Sequence, residues 1–371
     1  MRAAVFWDAD RPIDVREVEL RPPQSGEVEV AIAAAGVCHS DLHMVRGEWR
    51  HRTPVVLGHE GSGVVTAVGD DVTSLTVGDH VVLSWVPGCG QCRFCLAGRP
   101  AQCLPAAEVV GAGGTMFDGT TRLSVSGTEC FHYLGVSSYA ERAVVPASGA
   151  VKVRSDAPLD LIAIIGCAVA TGVGAVRNTA AVGAGSTVAV IGCGGVGLSC
   201  VQGARLAGAA RIVAVDLLPE KLALARRLGA TESLDASEGE VVERLRSLVP
   251  EGLDFVFDAI GAIRTTEQAI AALGMGGAAV IVGLPPNGET ATFDPMALAE
   301  ADQRILGSNY GSSVPHRDIP RLVDEFMAGD IDLASLVSDH RPLDEAQAAL
   351  DDLAAGHVLR QLLIPNPDLV V

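Results

Sequence analysis

The segment 187–197 reads TVAVIGCGGVG, an apolar run that leads directly into closely spaced glycines. Its first five residues have the length and residue types of a buried strand. The following residues fit the pattern G-x-G-x-x-G, with glycine at Gly192, Gly194, Gly195 and Gly197. Because glycine has no Cβ, such a turn lets the backbone approach a pyrophosphate, and the next helix presents its N-terminal N–H groups. The segment therefore predicts a dinucleotide-binding strand–turn–helix.

The sequence after this segment alternates between strand and helix patterns. Arg211–Val215 is a second apolar run, and Glu220–Leu228 has helical spacing. Phe255–Ala259 and Ala278–Val282 are further candidates for buried strands. Alternation of this kind is typical of βαβ units and predicts an α/β fold with a doubly wound parallel sheet, the Rossmann arrangement.

An acidic residue ends the second strand of this predicted sheet. Asp216 stands 19 residues after Gly197, where a carboxylate can accept hydrogen bonds from the adenosine ribose and would repel a 2′-phosphate. We therefore expect NAD rather than NADP as the cofactor. The alternative is a structural glycine turn followed by a helix-capping aspartate.

The first 150 or so residues have a different pattern, which is typical of β-structure. Short apolar runs at Glu27–Ala33, Gly63–Val68 and His80–Ser84 are separated by Gly, Pro and Asp. After about Asn309 the chain becomes helical again, and it finishes with a strand-like Leu362–Ile364. The predicted domain division is 1–168, 169–309 and 310–371, with a cysteine-rich lobe at 89–103.

The composition argues against nucleic-acid and membrane partners. The chain of 371 residues has a formal net charge of −18, so it lacks a basic footprint and would be repelled by an acidic membrane surface. Its first twelve residues carry Asp8 and Asp10 and no apolar core of a secretory signal. The uncharged stretch 178–204 contains seven glycines and is interpreted as a soluble strand, turn and helix. We expect a cytoplasmic protein.

Four of the nine cysteines fall within fifteen residues. Their spacing is C-x-x-C-x-x-C-x(7)-C, at Cys89, Cys92, Cys95 and Cys103. Short C-x-x-C spacings aim successive sulfurs at one point, and four thiolates complete a tetrahedral zinc site with no open position. This lobe predicts a structural zinc, with an iron–sulfur cluster as the competing interpretation and disulfides disfavoured in a reducing compartment.

Three further segments carry candidate metal ligands far apart in the sequence: 36–43 (GVCHSDLH), 58–60 (GHE) and 166–167 (GC). A catalytic zinc needs three protein ligands and one exchangeable position, which Cys38, His59 and Cys167 would supply. Each residue alone has an ordinary alternative, because a cysteine in an apolar run usually fills core and a histidine can serve a turn.

Taken together, these motifs resemble the zinc-containing alcohol dehydrogenases of the medium-chain dehydrogenase/reductase superfamily, from about Ala3 to Ile364. The Cys₂His ligand set is the one known from alcohol dehydrogenase itself, so the assignment follows from the resemblance. The resemblance implies a GroES-like catalytic domain beside the Rossmann domain, two zinc ions per chain and hydride transfer between NAD and a small alcohol or aldehyde.

The resemblance also implies roles for individual residues. Asp41 would orient the zinc-bound imidazole, Glu60 would be an acidic neighbour of the metal, and Ser40 with His43 would relay the alcohol proton. Lys221 and Arg360 would lie near the adenosine ribose and the pyrophosphate, and Thr171 and Val196 would flank the nicotinamide. Many members carry arginine at the position of His39, so a weaker, pH-sensitive phosphate contact is expected here.

The expected substrate pocket follows from the same alignment and is lined by Trp49, Trp85, Tyr133, Leu134, Leu284 and Asn309. The long segment from Cys103 to Tyr133 is similar to that of the dimeric members and predicts a homodimer. Gly36–His43, the segment 89–100 and Ser312–Pro320 also resemble thiol-dependent formaldehyde dehydrogenases of the mycothiol or glutathione type, which is the second candidate. A non-catalytic zinc- and NAD-binding protein is the alternative of another class.

Overall fold

The computed structural model describes residues 1–356 and 358–370, and the chain divides into two compact units. Unit 1 comprises Met1–Cys167 together with Val314–Val371, and unit 2 comprises Ala168–Ser313. Unit 1 is therefore built from both ends of the chain, and unit 2 is one continuous insertion between them.

The N-terminal part of unit 1 is mainly β-structure. Its strands are β1 (Arg2–Phe6), β2 (Asp14–Glu17), β3 (Glu19–Leu20), β4 (Glu27–Gly36), β5 (Val55–Val56), β6 (Gly61–Val68), β7 (His80–Leu83), β8 (Leu123–Val125), β9 (Thr128–His132), β10 (Arg142–Pro146) and β11 (Ala150–Lys152). Its α-helices are short: α1 (His39–Val45), α2 (Arg93–Leu96) and α3 (Leu159–Ile162). A π-helical turn covers Ala106–Ala112, and 3₁₀ turns cover Pro100–Gln102, Ala147–Gly149 and Ala163–Gly166.

Unit 2 alternates helix and strand. Its helices are α4 (Ala168–Gly174), α5 (Gly195–Leu206), α6 (Pro219–Leu228), α7 (Val241–Leu248), α8 (Ile263–Ala271) and α9 (Pro295–Glu300). Its strands are β12 (Thr187–Ile191), β13 (Arg211–Asp216), β14 (Glu232–Asp235), β15 (Leu253–Asp258), β16 (Leu273–Ile281) and β17 (Arg304–Gly307). The chain then returns to unit 1 with α10 (Pro315–Met327), β18 (Val337–Pro342), α11 (Ala346–Ala355) and β19 (Arg360–Ile364).

The sheet of unit 2 has the strand order β14-β13-β12-β15-β16-β17, and every pair in it is parallel. The order reverses at β12, the strand that leads into the glycine motif. Val188 to Ile191 are all buried, as expected for a central parallel strand covered on both faces. The predicted α/β fold with a doubly wound parallel sheet is confirmed.

Unit 1 contains two sheets. One has the order β2-β1-β5-β9-β8-β3, and the other has the order β11-β7-β6-β4-β19-β18 with β10 also on β4. The C-terminal strand β19 pairs antiparallel with the end of β4, with Leu362 opposite Gly36 and Leu363 opposite Ala35. This register brings the end of the chain beside the residues that precede Cys38.

Two predicted strands were misplaced at their ends. The structure ends β15 at Asp258 rather than Ala259, because Asp258 Oδ1 accepts hydrogen bonds from the N–H groups of Ile260 and Gly261 and so forms a turn. It begins β16 at Leu273 rather than Ala278. The early part of β16 contains three glycines, and these carry no side-chain pattern from which a strand could be predicted.

The length and hydropathy of the helices bear on membrane insertion. Within residues 1–356 and 358–370, none of the individual helices has both the length and the apolar character needed to span a bilayer. One bent pair of helical segments, Leu159–Gly166 with Ala168–Thr179, is long and apolar enough for a span, by length and composition only.

Candidate metal centres and nucleotide site

The four-cysteine lobe brings its sulfurs together. Those of Cys89, Cys92, Cys95 and Cys103 all lie within 4.8 Å of one another. Backbone N–H groups of Cys89 and Cys92 donate to the sulfurs of Cys103 and Cys89, each at 3.3 Å. A backbone hydrogen bond from Cys95 lowers the pKa of Cys92 to about 6. Burial raises the pKa of Cys103 to about 12, so the case for a four-thiolate metal site rests on the clustered sulfurs and their N–H donors.

A second ligand set lies in the interior of unit 1. Ligand atoms of Cys38, His59, Glu60 and Cys167 lie within 4.8 Å of one another, and all four residues are buried. Cys38 is the N-cap of α1, and His59 and Glu60 lie between β5 and β6. Cys167 follows the 3₁₀ turn Ala163–Gly166. Three separate segments of the chain thus bring ligand atoms to one point, and their role as zinc ligands stays a prediction.

Asp41 organises this second set. Its carboxylate accepts hydrogen bonds from the N–H groups of Cys38 at 3.1 Å and Gly58 at 3.2 Å, and from the hydroxyl of Tyr139 at 3.2 Å. Its Oδ1 also lies 3.3 Å from Nδ1 of His59. A carboxylate only accepts, so Nδ1 carries the proton and Nε2 offers its lone pair. Tyr139 was missed in the sequence because nothing local links it to Asp41.

Nε2 of His59 is buried, and among the described residues it has no hydrogen-bond partner. Buried polar atoms are almost always satisfied, so an orphaned imidazole nitrogen beside two sulfurs fits a metal ligand. The Cys167 thiol donates to Cys38 and lowers the pKa of Cys38 well below its usual value, with help from Arg360 and His59. The set therefore already favours one thiolate. These residues fit a zinc ion with three protein ligands.

Glu60 and Arg360 form a buried ion pair next to the ligands, with Nη2 and Oε1 3.2 Å apart. Burial raises the pKa of Glu60 to about 7, although the charge of Arg360 opposes this. Nη1 of Arg360 donates to the carbonyl of Val37 at 3.0 Å. A Cβ at Gly36 would lie 2.0 Å from Oε2 of Glu60, so any side chain there would displace this carboxylate. The structure places Arg360 against Glu60, and its pyrophosphate contact stays a prediction.

The predicted proton relay begins beside the metal ligands. Oγ of Ser40 lies 3.8 Å from Sγ of Cys38, and the backbone carbonyl of Ser40 accepts from the hydroxyl of Tyr133 at 3.0 Å. His43 is three residues further along α1, which places both side chains on one helix face. His39, the first residue of α1, is exposed.

Four of the six predicted pocket residues lie in unit 1. Trp49 stacks on the His43 ring with centroids 4.7 Å apart, and Tyr133 meets the His59 ring edge-on at 5.7 Å. Trp85 and Leu134 are half-buried against the unit 1 core. Leu284 and Asn309 are exposed residues of unit 2. The structure thus groups Trp49 and Tyr133 with the relay and the ligands.

The predicted nucleotide residues lie in unit 2. Gly192 has φ +95°, and a Cβ at Gly197 would lie 1.7 Å from the Gly192 carbonyl, so both positions need glycine. Asp216 accepts from the N–H groups of Cys193 at 2.7 Å and Leu217 at 2.8 Å, which fixes its carboxylate beside the glycine turn. The arrangement of turn, helix and carboxylate suits a dinucleotide.

The other predicted cofactor residues are placed on three helices of unit 2. Thr171 is buried in α4, Gly195 and Val196 begin α5 after Gly194, and Lys221 lies in the first turn of α6. A Cβ at Gly172 would lie 2.4 Å from the carbonyl of Val196, so α4 packs closely on the start of α5. Their contacts with a nicotinamide or a ribose stay predictions.

Two long segments of the chain match known protein families. Residues 24–155 match the family described as alcohol dehydrogenase GroES-like domain, and residues 195–328 match the family described as zinc-binding dehydrogenase. The chain is 37% identical to the alcohol dehydrogenase class-3 of Myxine glutinosa, over 98% of this chain and 97% of that protein. It is 38% identical to the S-(hydroxymethyl)glutathione dehydrogenase of Escherichia coli O6:H1, over 98% of this chain and 99% of that one.

Solved structures agree with these matches. An alcohol dehydrogenase zinc-binding domain protein of Burkholderia ambifaria superposes with a TM-score of 0.95 at 38% identity, covering 98% of this chain and 99% of that chain. The benzyl alcohol dehydrogenase of Acinetobacter calcoaceticus has a TM-score of 0.93 at 34% identity, covering 98% of each chain. A putative zinc-binding dehydrogenase of Sinorhizobium meliloti, bound to NADP, has a TM-score of 0.81 at 30% identity, covering 98% of this chain and 99% of that chain.

The chain belongs to the zinc-dependent alcohol dehydrogenase family of the medium-chain dehydrogenases/reductases. The predicted family and the predicted pairing of a Rossmann fold with a GroES-like domain are confirmed. Membership in a zinc-binding family also favours zinc over an iron–sulfur cluster for the four-cysteine lobe.

Proposed function

We propose that this protein interconverts primary alcohols and aldehydes by hydride transfer with NAD. The observation that carries the proposal is the buried set of Cys38, His59 and Cys167, with the orphaned Nε2 of His59 and the hydroxyl of Ser40 beside it. A redox-inactive binding protein would not need a hydroxyl and an imidazole in series next to such a set.

The residues of this chain have separate tasks in the proposed reaction. When bound, zinc supplies Lewis-acid polarisation of the substrate oxygen and the nicotinamide exchanges the hydride. Ser40 accepts the hydroxyl proton of the alcohol and passes it towards His43. Asp41 holds His59 in the tautomer that leaves Nε2 able to ligate. Trp49 and Tyr133 exclude water from this side of the relay.

NAD is the cofactor that the charges of unit 2 favour. The carboxylate of Asp216 is tied to the backbone beside the glycine turn, so a ribose 2′-phosphate would bring a dianion against a fixed anion. One solved relative, the putative zinc-binding dehydrogenase of Sinorhizobium meliloti, is bound to NADP, so the choice between the two cofactors needs a direct test. Comparing kcat/KM for NAD and NADP tests this choice, and a preference for NADP would contradict it.

A thiol-dependent formaldehyde dehydrogenase is the second candidate. It is supported by relatives named alcohol dehydrogenase class-3 and S-(hydroxymethyl)glutathione dehydrogenase at 37% and 38% identity. The deciding experiment measures NAD reduction with aliphatic primary alcohols, benzyl alcohol, and formaldehyde with and without glutathione or mycothiol. We expect turnover of free alcohols, and activity restricted to the formaldehyde–thiol adduct would replace our proposal by the second candidate.

We also propose a cytoplasmic homodimer. Six of the nine cysteines lie in the two metal-ligand clusters, and thiols clustered in this way suit a reducing compartment. The length of the segment from Cys103 to Tyr133 supports the dimer by resemblance only. Sedimentation of the zinc-loaded protein tests it, and a monomer or tetramer would contradict it.

A further inference from the structure

The end of helix α1 is built in a specific way. Gly47 has φ +69°, and its N–H donates to the carbonyl of Met44 at 2.9 Å. The N–H of Glu48 donates to the carbonyl of His43 at 3.0 Å. These two bonds with a left-handed glycine define a Schellman motif, which folds the chain back over the last turn of the helix. A Cβ at Gly47 would have room, so the glycine is there for its φ.

This motif sets the neighbour of His43. In a Schellman motif the residue after the glycine packs on the residue from which the motif starts, and that contact is usually apolar. Here the two residues are Glu48 and His43, and their side chains are hydrogen-bonded through Nδ1 and Oε2. Replacing the usual apolar contact by a charged group is a local departure of the kind that marks functional positions.

The imidazole is held on a second side as well. The N–H of Trp49 donates to the carbonyl of His43 at 3.4 Å, and its indole stacks on the ring at an angle of 21°. The side chains of His43 and Glu48 are only 25% and 31% exposed. The ring face of His43 therefore contacts Trp49, and its Nδ1 is hydrogen-bonded to Glu48. Nε2 is then the ring nitrogen that can exchange a proton.

We propose that Glu48 is a positioning residue for His43, an inference that rests on the proposed alcohol oxidation. Its carboxylate only accepts, so it keeps a proton on Nδ1 and leaves Nε2 as the basic nitrogen. Nε2 is then ready to take the proton that Ser40 receives from the alcohol. The arrangement orients the outer end of the relay in the way that Asp41 orients His59 at the inner end.

The tautomer of His43 tests this directly and does not depend on turnover. In zinc-loaded protein labelled with ¹⁵N-histidine, long-range ¹H–¹⁵N spectra report which nitrogen carries the proton, and a His43→Gln variant assigns the signals. At mildly alkaline pH we expect Nδ1 of His43 to carry the proton and Nε2 to be bare. Glu48→Leu should shift the pattern towards Nε2–H. An Nε2–H form in the wild type, or an unchanged pattern in Glu48→Leu, would overturn the proposal.

Kinetics supply the second readout. Leucine suits the usual apolar contact of a Schellman motif, so Glu48→Leu should fold with an unchanged melting temperature. Its kcat for alcohol oxidation should fall about tenfold with little change in KM, because His43 stays in the relay and loses only the carboxylate that orients it. Glu48→Asp should restore part of kcat, and Glu345→Leu, which removes a half-exposed partner of Arg341, should not alter it.

The two claims fail separately. A wild-type protein that reduces no NAD with any alcohol would overturn the proposed function, and the tautomer would still show whether Glu48 holds His43. An active wild type whose kcat is unaffected in Glu48→Leu would overturn the role of Glu48 alone.

Discussion

The four-cysteine lobe and the buried cluster of Cys38, His59 and Cys167 are both metal-ligand sets, but they are assembled in opposite ways. The lobe takes four ligands from fifteen consecutive residues, and its sulfurs meet through local turns. The buried cluster joins Cys38 to Cys167, 129 positions later in the chain, so it depends on the packing of distant segments of unit 1. The four ligands of the lobe form a closed site of the structural type, which contributes to stability. The three ligands of the buried cluster leave a position open for substrate.

The largest effect is expected for a ligand of the buried cluster. Cys38→Ala should lower kcat at least a thousandfold, since several kcal/mol of charge stabilisation by the metal are lost. Zinc content should fall from about two to about one per chain, with little change in circular dichroism. Cys200→Ala, which removes a buried thiol outside both clusters, is the matched control. Retained turnover in Cys38→Ala would show that this cluster is not catalytic.

A ligand of the lobe should give the reverse pattern. Cys92→Ala should lower the melting temperature by more than about 5 °C, because metal binding at a structural site contributes folding free energy. Turnover measured well below that temperature should be nearly normal. Thermal unfolding followed by calorimetry checks this, and an unchanged melting temperature would remove the distinction between the two clusters.

A smaller effect is expected for Asp41, which touches the ligands and not the metal. Asp41→Asn should weaken zinc binding at the buried cluster about 10- to 100-fold, as is usual when a histidine ligand loses its carboxylate partner. Competition with a chelator measures the affinity of each site. The lobe should keep its affinity, and equal weakening at both sites would point to general unfolding.

The smallest effect at neutral pH concerns the acid stability of the fold. This stability must be measured separately because acid also releases zinc. Burial lowers the pKa of His132 to about 3, with help from the charge of Arg122. An unfolded histidine titrates near 6.5, so between these values the unfolded chain binds the extra proton. Stability should therefore fall as the pH falls from about 6.5 towards 3, by at most about 1.4 kcal/mol per pH unit.

His132→Gln isolates this contribution. Nε2 of His132 accepts the N–H of Arg122 at 3.0 Å, and a glutamine oxygen can accept the same bond without titrating. Urea unfolding at several pH values should give a flatter acid limb for this variant, with His316→Gln, an exposed histidine of the same unit, as control. An identical slope in wild type and His132→Gln would contradict the assignment.

The parts of the fold that could be predicted from sequence are those with local signals. β12 coincides with the predicted Thr187–Ile191 because an apolar run ends at a glycine motif, and the cysteine lobe follows from its spacing. The start of β16 could not be predicted, because its glycines have no side chains and so show no alternation of apolar and polar residues.

The buried cluster needed more than spacing. No periodicity links Cys38, His59 and Cys167, and their assignment came from the resemblance to a family. Glu48 and Tyr139 were missed because their partners are set by a helix-ending turn and by sheet packing. For Glu48, the only local sign in the sequence is the glycine at the end of α1. For Tyr139, it is an aromatic residue within a buried run.

An anomalous difference map at the zinc absorption edge, from crystals of the wild-type protein, tests the central claim most directly. The account predicts two peaks per chain, one of them about 2.3 Å from the sulfurs of Cys38 and Cys167 and about 2.0 Å from Nε2 of His59. A single peak in the four-cysteine lobe, or a second peak that His59 does not reach, would contradict it.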